Sequence, residues 1–328
     1  MTIEAAIDNP QCILCNQAMS PWLDIPGDWQ KPESEDHFKV YWCDEDHFGK
    51  VLPNPDDKVL ADHYQIDNYY TRTSRLNIAQ IEYSFFQKLA AKIAAPFDKG
   101  IQNTIDFISD NLGKEPARVL EIGCGHADKL IPLSRAGHEC IGIEPDPNSK
   151  SRQPGFELKV YDGTAENPPK ALSGEKFDGV LLSHVLEHCT DPVAALRSVH
   201  EFLSDDGFTY VEVPNIACAD FKFSKLAWPH LDVPRHLNFF NEESLRKTLE
   251  LAGLEVSQIS YAYYYRQMHP KWINFNKPIV DFYRAKRAIK WSPKNLGWLY
   301  YWGFLGITVF APKSFKYDSV IAIAKKKR

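Results

Sequence analysis

Residues able to do chemistry gather first in RVLEIGCGHADKL (118–130), where Glu121, Gly123, Gly125 and Asp128 follow one another across a strand, a tight turn and a helix start. Glycines at 123 and 125 let the backbone turn sharply and approach a ligand with no Cβ in the way. The helix start beyond them presents free amides that favour an anionic group. Glu144, in IGIEPDP at the end of the next strand, is placed to accept hydrogen bonds from the two hydroxyls of a ribose. A dinucleotide loop would read G-x-G-x-x-G, but Asp128 stands at the third glycine and is also placed to cap the helix. The charges of Glu121 and Asp128 disfavour a pyrophosphate and suit an ammonium or sulfonium. The loop therefore fits S-adenosylmethionine better than NAD.

Displacement at a sulfonium methyl requires that the acceptor be positioned and water excluded, and that a proton be removed if the acceptor is a hydroxyl or an acidic carbon. Two histidines are candidates for that proton. His184 directly follows the fourth strand and either faces the methyl group or packs against the cofactor. His236, in DVPRHLNFF (232–240), sits in a loop expected to overhang the acceptor. Beside it, Arg235 and Asp232 either orient the substrate or form a self-satisfied salt bridge. His188 is expected to pack or to cap the helix over 191–205. Tyr69 and Tyr70, in DNYYTRTS, form either a lid over the sulfonium or ordinary core.

These groups need a scaffold. Short β-branched runs at 118–123, 138–144, 156–162, 177–183 and 207–214 alternate with helical stretches, the pattern of right-handed crossovers in a parallel, doubly wound α/β sheet. A helix over 242–252 stops at Gly253, and two further strands, 254–265 and 318–326, enclose an insertion. Before the sheet, Ile78, Ile81, Phe85, Phe86, Leu89 and Ile93 recur at helical spacing and predict a packed face. The 328 residues are 44% hydrophobic and 25% charged with a net charge of −5, which speaks against non-specific nucleic-acid binding. MTIEAAIDNPQ has neither a basic start nor an apolar run, so no secretory leader is expected. No run reaches the ~20 apolar residues of a membrane span. Seven scattered cysteines argue against a disulfide framework and for the reducing cytoplasm. Cys12 and Cys15, in CILC, have knuckle spacing for zinc.

Five segments in order resemble the class I S-adenosylmethionine-dependent methyltransferases. VLEIGCGHAD is similar to their first motif, with Ala127 in place of its third glycine, and IGIEPDP to their ribose-binding acid, Glu144. YDGTAEN (161–167) looks like the segment flanking the adenine, and FDGVLLSHVLEHCTDP (177–192) like the fourth-strand motif of the branch marked by L-E-H and D-P. LSDDGFTYVEVPN with WPHLDVPRHLNFFNEESLRKTLELAGLEV resembles the fifth-strand unit and its following helix. The resemblance implies a mostly parallel seven-stranded Rossmann-like sheet. It implies cofactor contacts from Glu121, Gly123, Gly125, Glu144, Asp162, Gly163, Ser183 and Tyr70, with Asp162 at the adenine amino group. Relatives often open with a small zinc module whose second half reads like Y-x-C-x-x-C-G-x-V. Here Asp46 occupies the fourth cysteine's place and His47 follows, so Cys12, Cys15, Cys43 and His47 are the expected zinc ligands.

The expected layout is a zinc-binding module at 8–55, a helical lid or linker at 59–115, a cofactor-binding catalytic core at 116–265 with 317–328, and a cap inserted at 266–316. Within the insertion, 284–311 carries Arg284, Lys286, Arg287, Lys290 and Lys294 ahead of the uncharged LGWLYYWGFLGITVFA, and so offers a cap, a dimer contact or a peripheral membrane contact. The activity implied is methyl transfer to oxygen, nitrogen or carbon of a small-molecule or glycan-type acceptor, with S-adenosylmethionine as donor, structural zinc and no nucleic acid. The alternatives are an NAD-dependent oxidoreductase, disfavoured by the loop charges, and a non-catalytic zinc-ribbon binding protein, disfavoured by the acidic balance.

Overall fold

Apolar runs too long to alternate mark strands buried on both faces, and they form the centre of the molecule. The structure is a computed structural model that describes residues 9–66, 85–101, 103–113, 116–292 and 296–328. A seven-stranded sheet contains β4 (Arg118–Ile122), β5 (Glu139–Ile143), β6 (Lys159–Tyr161), β7 (Phe177–Ser183), β8 (Leu203–Pro214), β10 (Leu254–Ala262) and β11 (Ser319–Lys326). Its order is β10-β11-β8-β7-β4-β5-β6. β11 runs antiparallel to both of its neighbours, while the β8-β7-β4-β5-β6 pairings are parallel. This is the doubly wound α/β sheet expected. The strand order reverses between β4 and β7, so a crevice opens over their carboxyl ends, where such sheets take their ligands.

The helices follow local signals. α5 (Pro192–Phe202) begins where the Asp191 side chain accepts from Ala194 N, with Pro192 in the first turn, and it buries Val193, Leu196, Val199 and Phe202. α7 (Glu242–Leu251) starts with a reciprocal Asn241–Ser244 capping box and ends ahead of Gly253 at φ +80°. α4 (Leu130–Arg135) has Lys129 at its N-cap with no side-chain hydrogen bond, so Asp128 does not cap it as expected. α2 (Phe85–Ala94) also differs from its expected face: Ala90, Ala91 and Ala94 are buried, whereas Phe85, Phe86 and Ile93 are exposed. Ile78 and Ile81 lie outside the described residues. α3 (Thr104–Leu112), held at its start by Asn103, then leads toward β4.

A second, four-stranded sheet, ordered β1-β2-β3-β9, is formed by β1 (Ser20–Ile25), β2 (Phe38–Cys43), β3 (Phe48–Val51) and β9 (Asn238–Phe239). The last strand comes from the loop after β8, so the N-terminal module and the core share one sheet. Buried Lys50 of β3 crosses that seam and donates to the Thr190 carbonyl at 2.8 Å and to Asn238 Oδ1 at 3.2 Å. α1 (Asp57–Tyr64), capped by Asp56, then passes over the crevice. α6 (Ala219–Ser224) follows β8. The insertion is helical: α8 (Pro270–Ala285), α9 (Trp298–Thr308) and α10 (Lys313–Lys316). α9 buries Tyr300, Tyr301, Phe304 and Leu305, while Leu299 and Ile307, with Phe310 just beyond its end, are exposed. Among the described residues no helix is long and apolar enough to cross a membrane.

Candidate active site

Over the strand ends lies a cavity of about 520 Å³. Its floor is the glycine turn at Ile122 and Gly123, one side is Glu144 to Pro147 with Thr164 to Glu166, and the other is His184, Val185, His188 and Cys189; Ala61 and Tyr64 of α1 roof it. Gly123 is required twice over, by its φ of +68° and because a Cβ there would lie 2.6 Å from Val185 Cγ2. Gly125 N–H, two residues on, donates to Glu144 Oε2 at 2.8 Å, and Asp146 N–H donates to Oε1 at 2.9 Å. The acid is thus aimed by backbone, and each oxygen keeps a lone pair for a hydroxyl. Burial raises its pKa above the ordinary carboxylate value, though the two amides oppose that shift.

Glu121 is buried beneath the turn, 3.3 Å from Lys129 Nζ. Burial raises its pKa while the Lys129 charge opposes the rise. Glu121 therefore presents little free negative charge to a ligand, because Lys129 pairs with it inside the loop. Asp162 is exposed, 3.9 Å from Arg152, and neither it nor Gly163 lines the cavity; Thr164, Ala165 and Glu166 occupy that wall. Glu166 accepts from Thr190 Oγ1 at 2.5 Å and Asp191 N at 2.8 Å, which ties the wall to the turn between β7 and α5. Ser183 Oγ points under the sheet end and donates to Glu212 Oε2 at 2.8 Å. Tyr69 and Tyr70 lie outside the described residues; Tyr64 is the roof aromatic that the structure places over the site.

His184 adopts φ +54° and sits between two buried acids, with Nδ1 3.1 Å from Glu187 Oε1 and Nε2 3.6 Å from Glu212 Oε1. Burial alone would lower its pKa, but the two carboxylates outweigh burial and raise it to about 9. Glu187 is correspondingly held at about 2 by that imidazole, against its own burial. The two carboxylates thus favour the protonated imidazole, which counts against His184 as the acceptor of a substrate proton. His188 is different. Burial, aided by nearby His236, lowers it to about 4. Its Nδ1 lies 2.9 Å from the Arg235 carbonyl and 3.0 Å from Tyr64 Oη, so it lines the cavity rather than capping α5. His236 stands behind it, ring edge against ring at 4.6 Å, with Nδ1 2.7 Å from the His230 carbonyl and its pKa lowered by burial.

Arg235 and Asp232 do not line the cavity. The guanidinium is fully buried and donates to Asp28 at 2.6 and 2.7 Å, to Asp232 at 2.6 and 3.1 Å, and to the His63 carbonyl at 3.0 Å. His63 in turn bridges Asp28 and Asp36 at 2.9 and 3.1 Å. The group clamps α1 and the N-terminal module against the loop bearing His236. Glu187 and Glu212, which the sequence does not mark as acceptor-site residues, are what raise His184.

In the N-terminal module the side chains of Cys12, Cys15, Cys43 and Asp46 cluster together. Cys12 Sγ lies 3.2 Å from Asp46 Oδ2, Cys43 Sγ lies 3.8 Å from the same oxygen, and Cys15 and Cys43 are 3.6 Å apart. A zinc–sulfur bond of about 2.3 Å gives tetrahedron edges of about 3.8 Å, so the four donors fit that ion. The Leu14 amide donates to Cys12 Sγ at 3.4 Å, support a thiolate would use. His47 is not among these donors: it is half exposed and pairs with Glu243 at 2.9 Å.

A family profile for a methyltransferase domain matches residues 95–259. Among curated relatives, the ubiquinone biosynthesis O-methyltransferase of Ruegeria pomeroyi is 31% identical over 55% of this chain and 72% of its own length. That of Azorhizobium caulinodans is 30% identical over 44% of this chain and 60% of its own, and one from Cereibacter sphaeroides is 32% identical over 40% and 51%. The chain thus spans between half and three fifths of the first relatives it matches. Among solved structures, an S-adenosylmethionine-dependent methyltransferase from Archaeoglobus fulgidus aligns with TM-score 0.45 at 19% identity, covering 72% of this chain and 94% of its own. A doubly wound sheet with a glycine turn and an acid just beyond the second parallel strand is the arrangement of nucleoside-cofactor proteins. The chain belongs to the class I S-adenosylmethionine-dependent methyltransferases.

Proposed function

We propose that this protein transfers a methyl group from S-adenosylmethionine to a hydroxyl oxygen of a small-molecule acceptor. The observation that carries the reading is the cavity itself, in which the Gly123 turn and the amide-held Glu144 face His188 across about 520 Å³. Gly123, Gly125, Glu144 and the wall from Thr164 to Glu166 would hold the cofactor, which when bound supplies a methyl group activated on a sulfonium. Tyr64 and Ala61 exclude water from above. On the acceptor side, His184 presents a fixed positive charge. His188, with His236 behind it, provides neutral imidazole to receive the hydroxyl proton. The relatives named as O-methyltransferases support oxygen as the acceptor atom.

Two further assignments go with this reading. Cys12, Cys15, Cys43 and Asp46 hold a structural zinc ion, supported by donor spacings of 3.2–3.8 Å. None of the seven cysteines forms a disulfide, which suits a reducing cytoplasm. The test is a screen of hydroxylated metabolites, phenols and sugars, with methyl-labelled cofactor and purified full chain. Label appearing in an ether product supports the reading; label appearing only on nitrogen or carbon would move the acceptor assignment.

A further inference from the structure

Beyond His184, at the same edge of the seven-stranded sheet, lies a group of side chains that the reading above does not use. Ala262 at the end of β10 pairs with Ser319 at the start of β11, which pairs with Pro214 at the end of β8. The residues just outside those pairs therefore meet at the carboxyl edge that carries the cavity. Arg266, in the turn Tyr265–Met268 after β10, has its guanidinium carbon 3.9 Å from the Tyr263 ring centre and 4.7 Å from that of Trp272 on α8. Its Nη2 donates to Asp318 Oδ1 and to His230 Nε2, each at 3.2 Å. A guanidinium only donates, so Nε2 is the accepting nitrogen of His230 and Nδ1 carries the proton. Burial, with the neighbouring guanidinium, holds that imidazole well below its ordinary pKa and keeps it neutral. The His230 ring stacks in turn on His184, with centres 5.9 Å apart and planes at 2°, and His184 lines the cavity. Arg266 and His230 keep 29% and 12% of their side chains exposed. Among the described residues neither Nη1 of the first nor Nδ1 of the second has an acceptor.

We propose that Arg266 and His230 form a carboxylate-binding subsite next to the acceptor position, so that the methyl acceptor is a hydroxy acid. This rests on the hydroxyl-acceptor reading above and narrows it. The open groups of the cluster are N–H donors, whereas the acids nearest them, Asp318 and Glu212, are buried. A ligand carboxylate accepts from both donors and meets the guanidinium charge, which makes the stronger kind of hydrogen bond. An amine would bring more donors to a site that already has a surplus of them. The guanidinium is held by two rings and one acid before any ligand arrives, so little is lost in ordering it. Asp318, the acid that pairs with it, is pushed up to about 6 by burial against the pull of Arg266. An anion arriving at Arg266 raises it further, so the competing charge is removed by proton uptake. The step of 5.9 Å from His184 to His230 suits an acceptor whose acid and hydroxyl are separated by a ring or a short chain.

The probe is benzoate, with benzamide as its uncharged counterpart, each titrated by calorimetry into the full chain with and without S-adenosylhomocysteine. The expected result is saturable benzoate binding at least ten-fold tighter than that of benzamide. Arg266→Met should weaken benzoate at least ten-fold, and His230→Phe, which keeps a stacked ring and removes the donor, should weaken it several-fold. Benzoate bound no more tightly than benzamide by the unsubstituted protein overturns the subsite, as does equal benzoate binding by either variant with an unchanged circular dichroism spectrum. The first comparison needs no variant, so it decides even where a substitution disturbs the fold. S-adenosylhomocysteine affinity, measured on the same protein without benzoate, keeps the two questions apart. It survives the failure of the carboxylate proposal, whereas its absence beside selective benzoate binding would strike the methyl-transfer reading and leave the subsite standing.

Discussion

At the scale of single residues, Glu144 and His184 bear the proposed cofactor contact and the proposed fixed charge, and they answer to different conditions. Glu144 is oriented by two backbone amides, so its grip on a ribose needs little reorganisation. A hydrogen bond to a charged group contributes about 1.5–3 kcal/mol. Glu144→Ala should therefore weaken S-adenosylhomocysteine binding by roughly ten-fold or more in calorimetry, with the fold unchanged by circular dichroism. His184 answers to pH. Its folded pKa of about 9 lies above the ordinary 6.5, so the stabilisation from its clamp is complete below pH 6.5 and is lost as pH rises toward 9. Its partner Glu187, lowered from 4.5 to about 2, loses its share only as pH falls from 4.5 through 2. The melting temperature should hence fall between pH 6.5 and 9, and His184→Gln should flatten that fall. An unchanged slope in the variant would place the titration elsewhere. Glu144 was legible because it ends a strand at a fixed distance from the turn. The charge state of His184 was not, because Glu212, which shares it, comes from the neighbouring strand.

Among elements, the turn between β4 and α4 shows how local sequence and packing divide the work. Ala127 takes the place of a family glycine and is held at φ +57° while fully buried. A left-handed residue with a Cβ costs about 1–2 kcal/mol, part of which glycine would return as unfolded-chain entropy. Ala127→Gly should thus stabilise the fold by about 0.5–1 kcal/mol net, read as a small rise in melting temperature; a fall would mean that the Ala127 methyl contributes more in packing than its backbone costs. The strands of this sheet were legible from their apolar runs, and α5 and α7 from their caps. The burial of α2 was not. Its large residues recur at helical spacing, but the inward face is Ala90, Ala91 and Ala94. Periodicity gives the presence of a stripe, and the partner surface decides which stripe is buried.

For the molecule as a whole, the N-terminal module is joined to the core through one sheet and one buried ion cluster. Asp28 and Arg235 are separated by 207 residues, yet meet at 2.6 Å with both side chains wholly buried. The local half of the cluster, Asp232 with Arg235, matches the salt-bridge alternative that the sequence offers beside substrate contact, whereas no local pattern announces Asp28 as its second partner. Removing one partner leaves a buried charge uncompensated, at about 3–5 kcal/mol. Arg235→Met should accordingly lower stability by that order in denaturant unfolding, with loss of the α1 roof seen as faster proteolysis between the module and the core. Full chain purified without added metal should also carry about one zinc lost on Cys12→Ser, whereas a zinc-free, equally stable protein would contradict the Cys3Asp assignment. The central claim is that the cavity over Gly123 and Glu144 takes an S-adenosyl cofactor. Isothermal calorimetry of the full chain with S-adenosylhomocysteine and, separately, NAD tests it most directly. Micromolar binding of the first and none of the second is the predicted result; no binding of S-adenosylhomocysteine, or tighter binding of NAD, would contradict it.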